Sequence, residues 1–176
     1  MVDTESKQRK IKFALLVGYN GSGYRGLQIN GEERTLEKEL KDAIFRAGFI
    51  SRDNQVDLHK IGWSRAARTD KGVHAAGNII AAKFQVSPSE LCDNFVNIVR
   101  CVNAQLPPQI RVLHLTRVTG SFDAKHFASS RTYEYVIPSF AFATLAEYPS
   151  GLEQAMLERW NECVDGALEV CELPRQ

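Results

Sequence analysis

Apolar and polar residues alternate through "KIKFALLVGYNG", residues 10–21, which puts Ile11, Phe13, Leu15, Val17 and Tyr19 on one side of an extended segment and predicts a strand. From Thr35 the period lengthens. Leu36, Leu40, Ala43, Ile44 and Ala47 fall on one face of a helix, with Thr35 as its N-cap and Gly48 as its stop. "SRDNQVDLHK", residues 51–60, reads as a polar connector. Strands are expected at residues 60–67 and 77–84, separated by a charged turn. Ser87, Pro88 and Glu90 then carry the signals of a helix start: a cap, a first-turn proline and the acid of a capping box. Leu91, Phe95, Ile98, Val99 and Val102 supply that helix with an apolar stripe, which "LPP" ends. "IRVLHLTRV" predicts a fourth strand and "RTYEYVIP" a fifth, stopped by Pro138. Residues 152–168 predict a last helix with Leu152, Met156, Trp160, Cys163, Val164 and Ala167 on one side.

The first four strands and two helices run β-α-β-β-α-β. That order predicts an α+β, ferredoxin-like (RRM-like) fold with an additional strand, its sheet mixed or antiparallel and its helices on one face. The expected organisation is a flexible basic leader at residues 1–10, an N-terminal ferredoxin-like domain at 11–145, and a helix within 146–176 that either packs back on the sheet or links to a further domain.

Composition narrows the class. The chain has 176 residues, 44% hydrophobic and 24% charged, enough for one domain with a core and a short appendage. No run of about 18 apolar residues occurs, and the opening "MVDTESKQRKIK" lacks the apolar stretch of a secretory signal. Cys92, Cys101, Cys163 and Cys171 form no CxxC pair, which suits reduced thiols and an intracellular protein; nucleus, cytoplasm and mitochondrion are not distinguished. The net charge of +1 means that an RNA partner would be met by local basic patches, such as "KQRKIK", rather than by the overall field.

Three stretches carry candidate chemistry. "GYNGSGYRG", residues 18–26, follows a strand, but Tyr24 and Arg25 stand where a phosphate-binding P-loop needs lysine and a hydroxyl. A tight connection is left, with Tyr24 and Arg25 available to a base or a phosphate. His59, His74, His114 and His126 are scattered without metal-ligand spacing, so no metal is expected. "SRAARTDKGVHAAG", residues 64–77, gathers Arg65, Arg68, Asp70 and Lys71 within seven positions. Asp-Lys-Gly is ordinary hairpin chemistry, and a solvated turn accounts for it. Arg68 is not called for by a turn; it can hold a neighbouring carboxylate ionised and meet a phosphate, which suits Asp70 as a nucleophile. In "SSRTYEYVIP", Arg131, Tyr133, Tyr135 and Ile137 share a face. Such a row is usually core, but Arg131 and Tyr133 at its start can also stack on and orient an extruded base.

"ARTDKGVHAAG" together with the later "RTYEY" resembles the TruA family of tRNA pseudouridine synthases, most closely its eukaryotic multi-site branch, in which an alanine precedes RTD. The likeness extends to "LLVGYNGSGYRGLQ" and "LPPQIRVLHLTRVTGSFDAKHFASSRTYEYVIPSFAF" and covers residues 11–142, with RTDKGVHA the most specific part. The resemblance implies a tRNA substrate, Asp70 as nucleophile, Arg68 organising the flipped nucleotide and Tyr133 stacking on the uracil. It implies no cofactor and no metal, because uridine isomerisation detaches the base from C1′, rotates it and rejoins it through C5. It also implies a second half that closes the cleft and supplies a basic partner for the aspartate; no such segment occurs here, so this chain is expected to be inactive alone. Other RNA substrates, the uridine chosen and a homodimer stay open. The alternative is a non-catalytic RRM-like RNA-binding module, for which no strand shows the K/R-G-F-x-F pattern.

Overall fold

The computed structural model describes residues 8–91 and 94–138. The alternating segment at the start forms β1 (Arg9–Tyr19), so Arg9 and Lys10, expected in the leader, already belong to a strand. Ile11, Phe13, Leu15, Val17 and Tyr19 are all buried. The other strands are β2 (Ser64–Arg65), β3 (Ala75–Val86) and β4 (Ile110–Arg117). They make one four-stranded sheet in the order β2-β3-β1-β4, with every neighbouring pair antiparallel.

One face of the sheet is closed by α1 (Leu36–Arg46) and α3 (Val96–Gln105). Leu36, Leu40, Ala43 and Ile44 from α1, and Ile98 and Val102 from α3, join the odd-numbered residues of β1 in a single core. Phe13 lies at its centre, with its ring 5.5 Å from Phe84 and edge-on to Phe95 at 5.0 Å. Burying each such aliphatic or aromatic side chain contributes about 1.5–3 kcal/mol, which outweighs the propensity of any one element. Thr35 caps α1 as expected, its hydroxyl accepting from the Lys38 N–H at 3.4 Å. Gly48, at φ +85°, ends the connection that follows.

Four sequence expectations are corrected. The polar connector is partly helical: α2 (Arg52–Val56) forms on the Ser51 carbonyl, and a 3₁₀ turn, Leu58–Ile61, starts where the Asp57 carboxylate accepts from the His59 N–H. The second strand shrinks to Ser64–Arg65, because Gly62 ends that turn in the left-handed conformation at φ +58°. Only half of the capping box at Ser87 forms: Glu90 accepts from the Ser87 N–H at 2.6 Å and from its hydroxyl at 2.8 Å, while the Glu90 N–H goes to the Ser87 carbonyl, and the turn so closed is only the 3₁₀ turn Pro88–Leu91. Asn94 and Phe95 have φ of +52° and +68°, which no right-handed helix accepts, so α3 starts at Val96. Finally, the fifth strand is not formed. Residues 131–138 carry no regular structure, and Tyr133, Tyr135, Val136 and Ile137 are exposed. Alternation qualifies a segment for a sheet, but a strand exists only where a ladder partner completes its hydrogen bonds.

The chain divides after Ser129, and residues 130–138 belong to the second part. The expected helix at 152–168 lies outside the described residues, as do Cys92, Cys163 and Cys171; Cys101 is an exposed free thiol. No helix among the described residues is long and apolar enough to cross a membrane.

Candidate active site

The loop between β2 and β3 carries Asp70, and a chain of hydrogen bonds fixes both of its shoulders. On the incoming side the Ala66 N–H reaches the Ile79 carbonyl at 2.8 Å, prolonging the ladder. The buried Asn78 amide donates to the Ala67 carbonyl at 3.0 Å and to the Tyr19 hydroxyl at 3.2 Å. That hydroxyl in turn lies 2.9 Å from Thr69 Oγ1. At the tip, the Val73 N–H donates to the Asp70 carbonyl at 3.2 Å, and Gly72 takes φ +78°, the third position of a type II turn.

The glycine-rich stretch after β1 packs directly onto this loop. The Leu27 N–H donates to the Thr69 carbonyl at 3.0 Å, and the Gly72 N–H to the Tyr24 carbonyl at 3.3 Å. The Gly21 N–H donates to Nδ1 of His74 at 3.2 Å, which gives that histidine a structural place in the loop. The glycines are what allow such proximity. Gly26, at φ +109°, would bring a Cβ to 2.9 Å from the Thr69 carbonyl oxygen, and a Cβ on Gly21 would run into the Val73 carbonyl. Gly21→Ala is therefore expected to destabilise the chain by about 1–3 kcal/mol, read from its urea midpoint, because backbone rather than a flexible side chain must give way.

This scaffold presents an exposed Asp70 whose carboxylate makes no hydrogen bond or ion pair among the described residues. Lys71 and Arg68 are exposed beside it on the same loop, and Arg25 is exposed on the strand-connecting stretch packed against it, held by its N–H to the Arg34 carbonyl at 2.9 Å. The structure thus brings Asp70, Lys71, Arg68 and Arg25 to one region. It does not pair Arg68 with Asp70: no ion pair forms between them, since water solvates two exposed charges and such a contact gains little. Tyr24 is also corrected. It is 1% exposed, its hydroxyl accepts from Arg34 at 3.2 Å, and the Arg34 guanidinium lies 4.5 Å over its ring, so it packs the loop and offers no face to a base. Burial pushes the Tyr24 phenol up, and the nearby Arg34 charge opposes that. Arg131 and Tyr133 lie beyond Ser129; both are exposed, Tyr133 by 67%.

The sequence reading missed the group that anchors the whole arrangement. Glu37, in the first turn of α1, is fully buried. Its carboxylate accepts from Trp63 Nε1 at 2.9 Å, from the Ile29 N–H at 3.2 Å, and from Nε of Arg65 in an ion pair. So Arg65, one of the charges that made the RTD stretch conspicuous, belongs to the fold. A signal was available: Trp63 and Arg65 share a side of the strand expected at residues 60–67, and the predicted helix after Thr35 offers an acid at its second position.

The chain is 45% identical over 140 residues to tRNA pseudouridine synthase 1 of Eremothecium gossypii, a match covering 80% of this chain and 25% of that protein. It is 44% identical over 137 residues to tRNA pseudouridine synthase 1 of Saccharomyces cerevisiae, covering 78% of this chain and 24% of the relative. With the pseudouridylate synthase 1 homolog of Mus musculus the identity is 42% over 140 residues, covering 78% and 31%. No family model matches the chain. The chain spans about a quarter to a third of the length of these curated relatives. Over about four fifths of its own length it belongs to the TruA family and corresponds to the N-terminal part of its relatives.

Proposed function

We propose that the protein to which this chain belongs is an intracellular tRNA pseudouridine synthase, with Asp70 as its nucleophile. The observation that carries this reading is Asp70 itself: a carboxylate unengaged among the described residues, at the tip of a loop in which Thr69, Gly72, Val73 and His74 are tied by hydrogen bonds. A nucleophile needs both a free lone pair and a fixed position. Arg68, Lys71 and Arg25 are the charges on this surface that suit phosphates of the substrate, and Arg131 and Tyr133 suit the extruded base. The names of the relatives support the choice of tRNA. The fold proposed for the domain is ferredoxin-like, because β1-α1-β2-β3-α3-β4 with strand order β2-β3-β1-β4 is the split βαβ arrangement.

The chemistry balances without a redox partner. The C1′–N1 bond breaks, a C1′–C5 bond forms, the proton on C5 is lost and N1 gains one. A carboxylate that attacks the sugar, or assists its opening, is released unchanged. The full-length protein, incubated with tRNA tritiated at C5 of uridine, is expected to release tritium to water as pseudouridine accumulates. A full-length preparation that binds tRNA but releases none would overturn the assignment.

A further inference from the structure

The sheet face turned away from the helices holds a feature that neither the RTD loop nor the fold requires. Lys12 of β1 and Lys83 of β3 stand directly opposite each other in the ladder. Like charges in that position repel. Lys12 is only 8% exposed, yet among the described residues its ammonium has no hydrogen-bond acceptor and no carboxylate within ion-pair distance. Both side chains converge on one point: a Cβ built on Gly62 would lie 3.2 Å from Lys12 Nζ and 3.9 Å from Lys83 Cε. Gly62 keeps that space open.

The segment after β4 crosses this end of the face. Its Val118 N–H donates to the Lys12 carbonyl at 3.0 Å, and its Ala124 N–H donates to the buried Ser64 hydroxyl at 3.0 Å. Asp123 on this segment is the acid that acts on Lys12, but it forms no ion pair with that ammonium, and its Oδ1 accepts from the N–H groups of Lys125 at 2.9 Å and His126 at 3.1 Å. Burial first and Lys83 second hold the Lys12 ammonium below the usual lysine range; Asp123 opposes them less strongly. Two cations are thus gathered, one of them buried and, among the described residues, with no acceptor within hydrogen-bond distance of its ammonium. Burying an unpaired cation is costly, and an anion bound between the two would remove that cost.

We propose that Lys12 and Lys83 form a phosphate site occupied by a backbone phosphate of RNA. The crossing segment indicates why the phosphate belongs to a nucleic acid. It presents Phe127, 66% exposed and stacked on Phe122 with ring centroids 5.1 Å apart, next to the exposed Lys125 and His126. An exposed ring backed by a second ring is a platform for a base, and a base beside a phosphate is the repeating chemistry of a single strand. This site rests on the RNA reading above, though not on the role of Asp70.

The test is binding of the 176-residue chain to a fluorescent oligouridylate of about ten nucleotides across a salt series. Lys83→Met is expected to weaken binding about threefold to tenfold and to reduce the salt slope by about 0.7, the value for one lost single-strand phosphate contact. Lys12→Met, apolar and of similar length, is expected to do the same, with circular dichroism confirming the fold. Phe127→Ala is expected to weaken binding at least about fivefold with the slope unchanged. Slopes unaltered in both lysine variants, while the unmodified chain binds RNA, overturn the site. If inorganic phosphate competes in the unmodified chain and Phe127→Ala changes nothing, the site takes free phosphate and the RNA source is overturned. Failure of the unmodified chain to bind RNA at all overturns that source too, independently of whether the full-length protein is active.

Discussion

Replacing Asp70 with alanine in the full-length protein is expected to lower pseudouridine formation at least about a thousandfold while changing tRNA affinity by less than about threefold. The separation of the two effects follows from the structure. Among the described residues the Asp70 carboxylate makes no bond, whereas the loop is held by the Thr69 carbonyl and hydroxyl, the Asp70 carbonyl, the Gly72 N–H and the His74 ring. Removing the carboxylate leaves all of these in place, so the stability change is expected to stay within about 0.5 kcal/mol, as for an ordinary surface position. Asp70→Asn sharpens the result. It keeps the size and the polarity but removes the charge and the nucleophilic oxygen pair. If the asparagine variant kept more than about a tenth of the activity, Asp70 would be an orienting group and not the nucleophile.

How far the sequence disclosed this site depends on which physical signal each part sends. The core of the fold was legible because β1 and α1 bury one regular face each, and a face has a period; β4 is less regular, its buried side passing from Ile110 and Val112 to Leu115 across an irregularity in its pairing with β1. The tip of the loop was legible too, since Gly72 at φ +78° is the turn residue that Asp-Lys-Gly announces. What failed were inferences that depend on a partner distant in sequence. The alternation of "RTYEYVIP" is genuine, but pairing is a property of two segments, and no ladder includes it among the described residues. The charges around Asp70 looked like one functional cluster, yet Arg65 turns inward to Glu37 while Arg68 and Lys71 turn outward. Spacing alone cannot separate them, because Glu37 lies 28 positions from Arg65. The glycines show the same limit. "GYNGSGYRG" failed as a phosphate loop, and its second meaning, a surface on which another backbone can rest, appears only when Thr69 and Val73 are seen lying against Gly26 and Gly21.

The buried acid gives the largest expected effect on stability. Glu37→Ala is expected to destabilise the chain by about 3–5 kcal/mol, a large part of the stability of a domain this size, and to shift the urea midpoint accordingly. The loss does not come mainly from the methylene groups removed. It comes from what is left behind: the Trp63 indole N–H, the Ile29 N–H and the Arg65 guanidinium all lose their acceptor, and Arg65 is left as a partly buried, unpaired charge. A second substitution tests that account. Arg65→Met in the Glu37→Ala background should recover part of the loss, because it removes the stranded charge and fills the space with an apolar side chain of similar reach. If the double variant is instead less stable by the sum of the two single losses, the pair is not coupled and the anchor lies in the packing of α1 alone. Coupling also has a consequence for the site. Glu37 donates its N–H to the Leu27 carbonyl, and the Leu27 N–H reaches the Thr69 carbonyl, so the acid and the RTD loop are one residue apart along a continuous path. Loosening Glu37 is therefore expected to raise hydrogen exchange at Leu27 before it does so in β1, and equal acceleration in both would show that the loop has no separate tie to the buried pair.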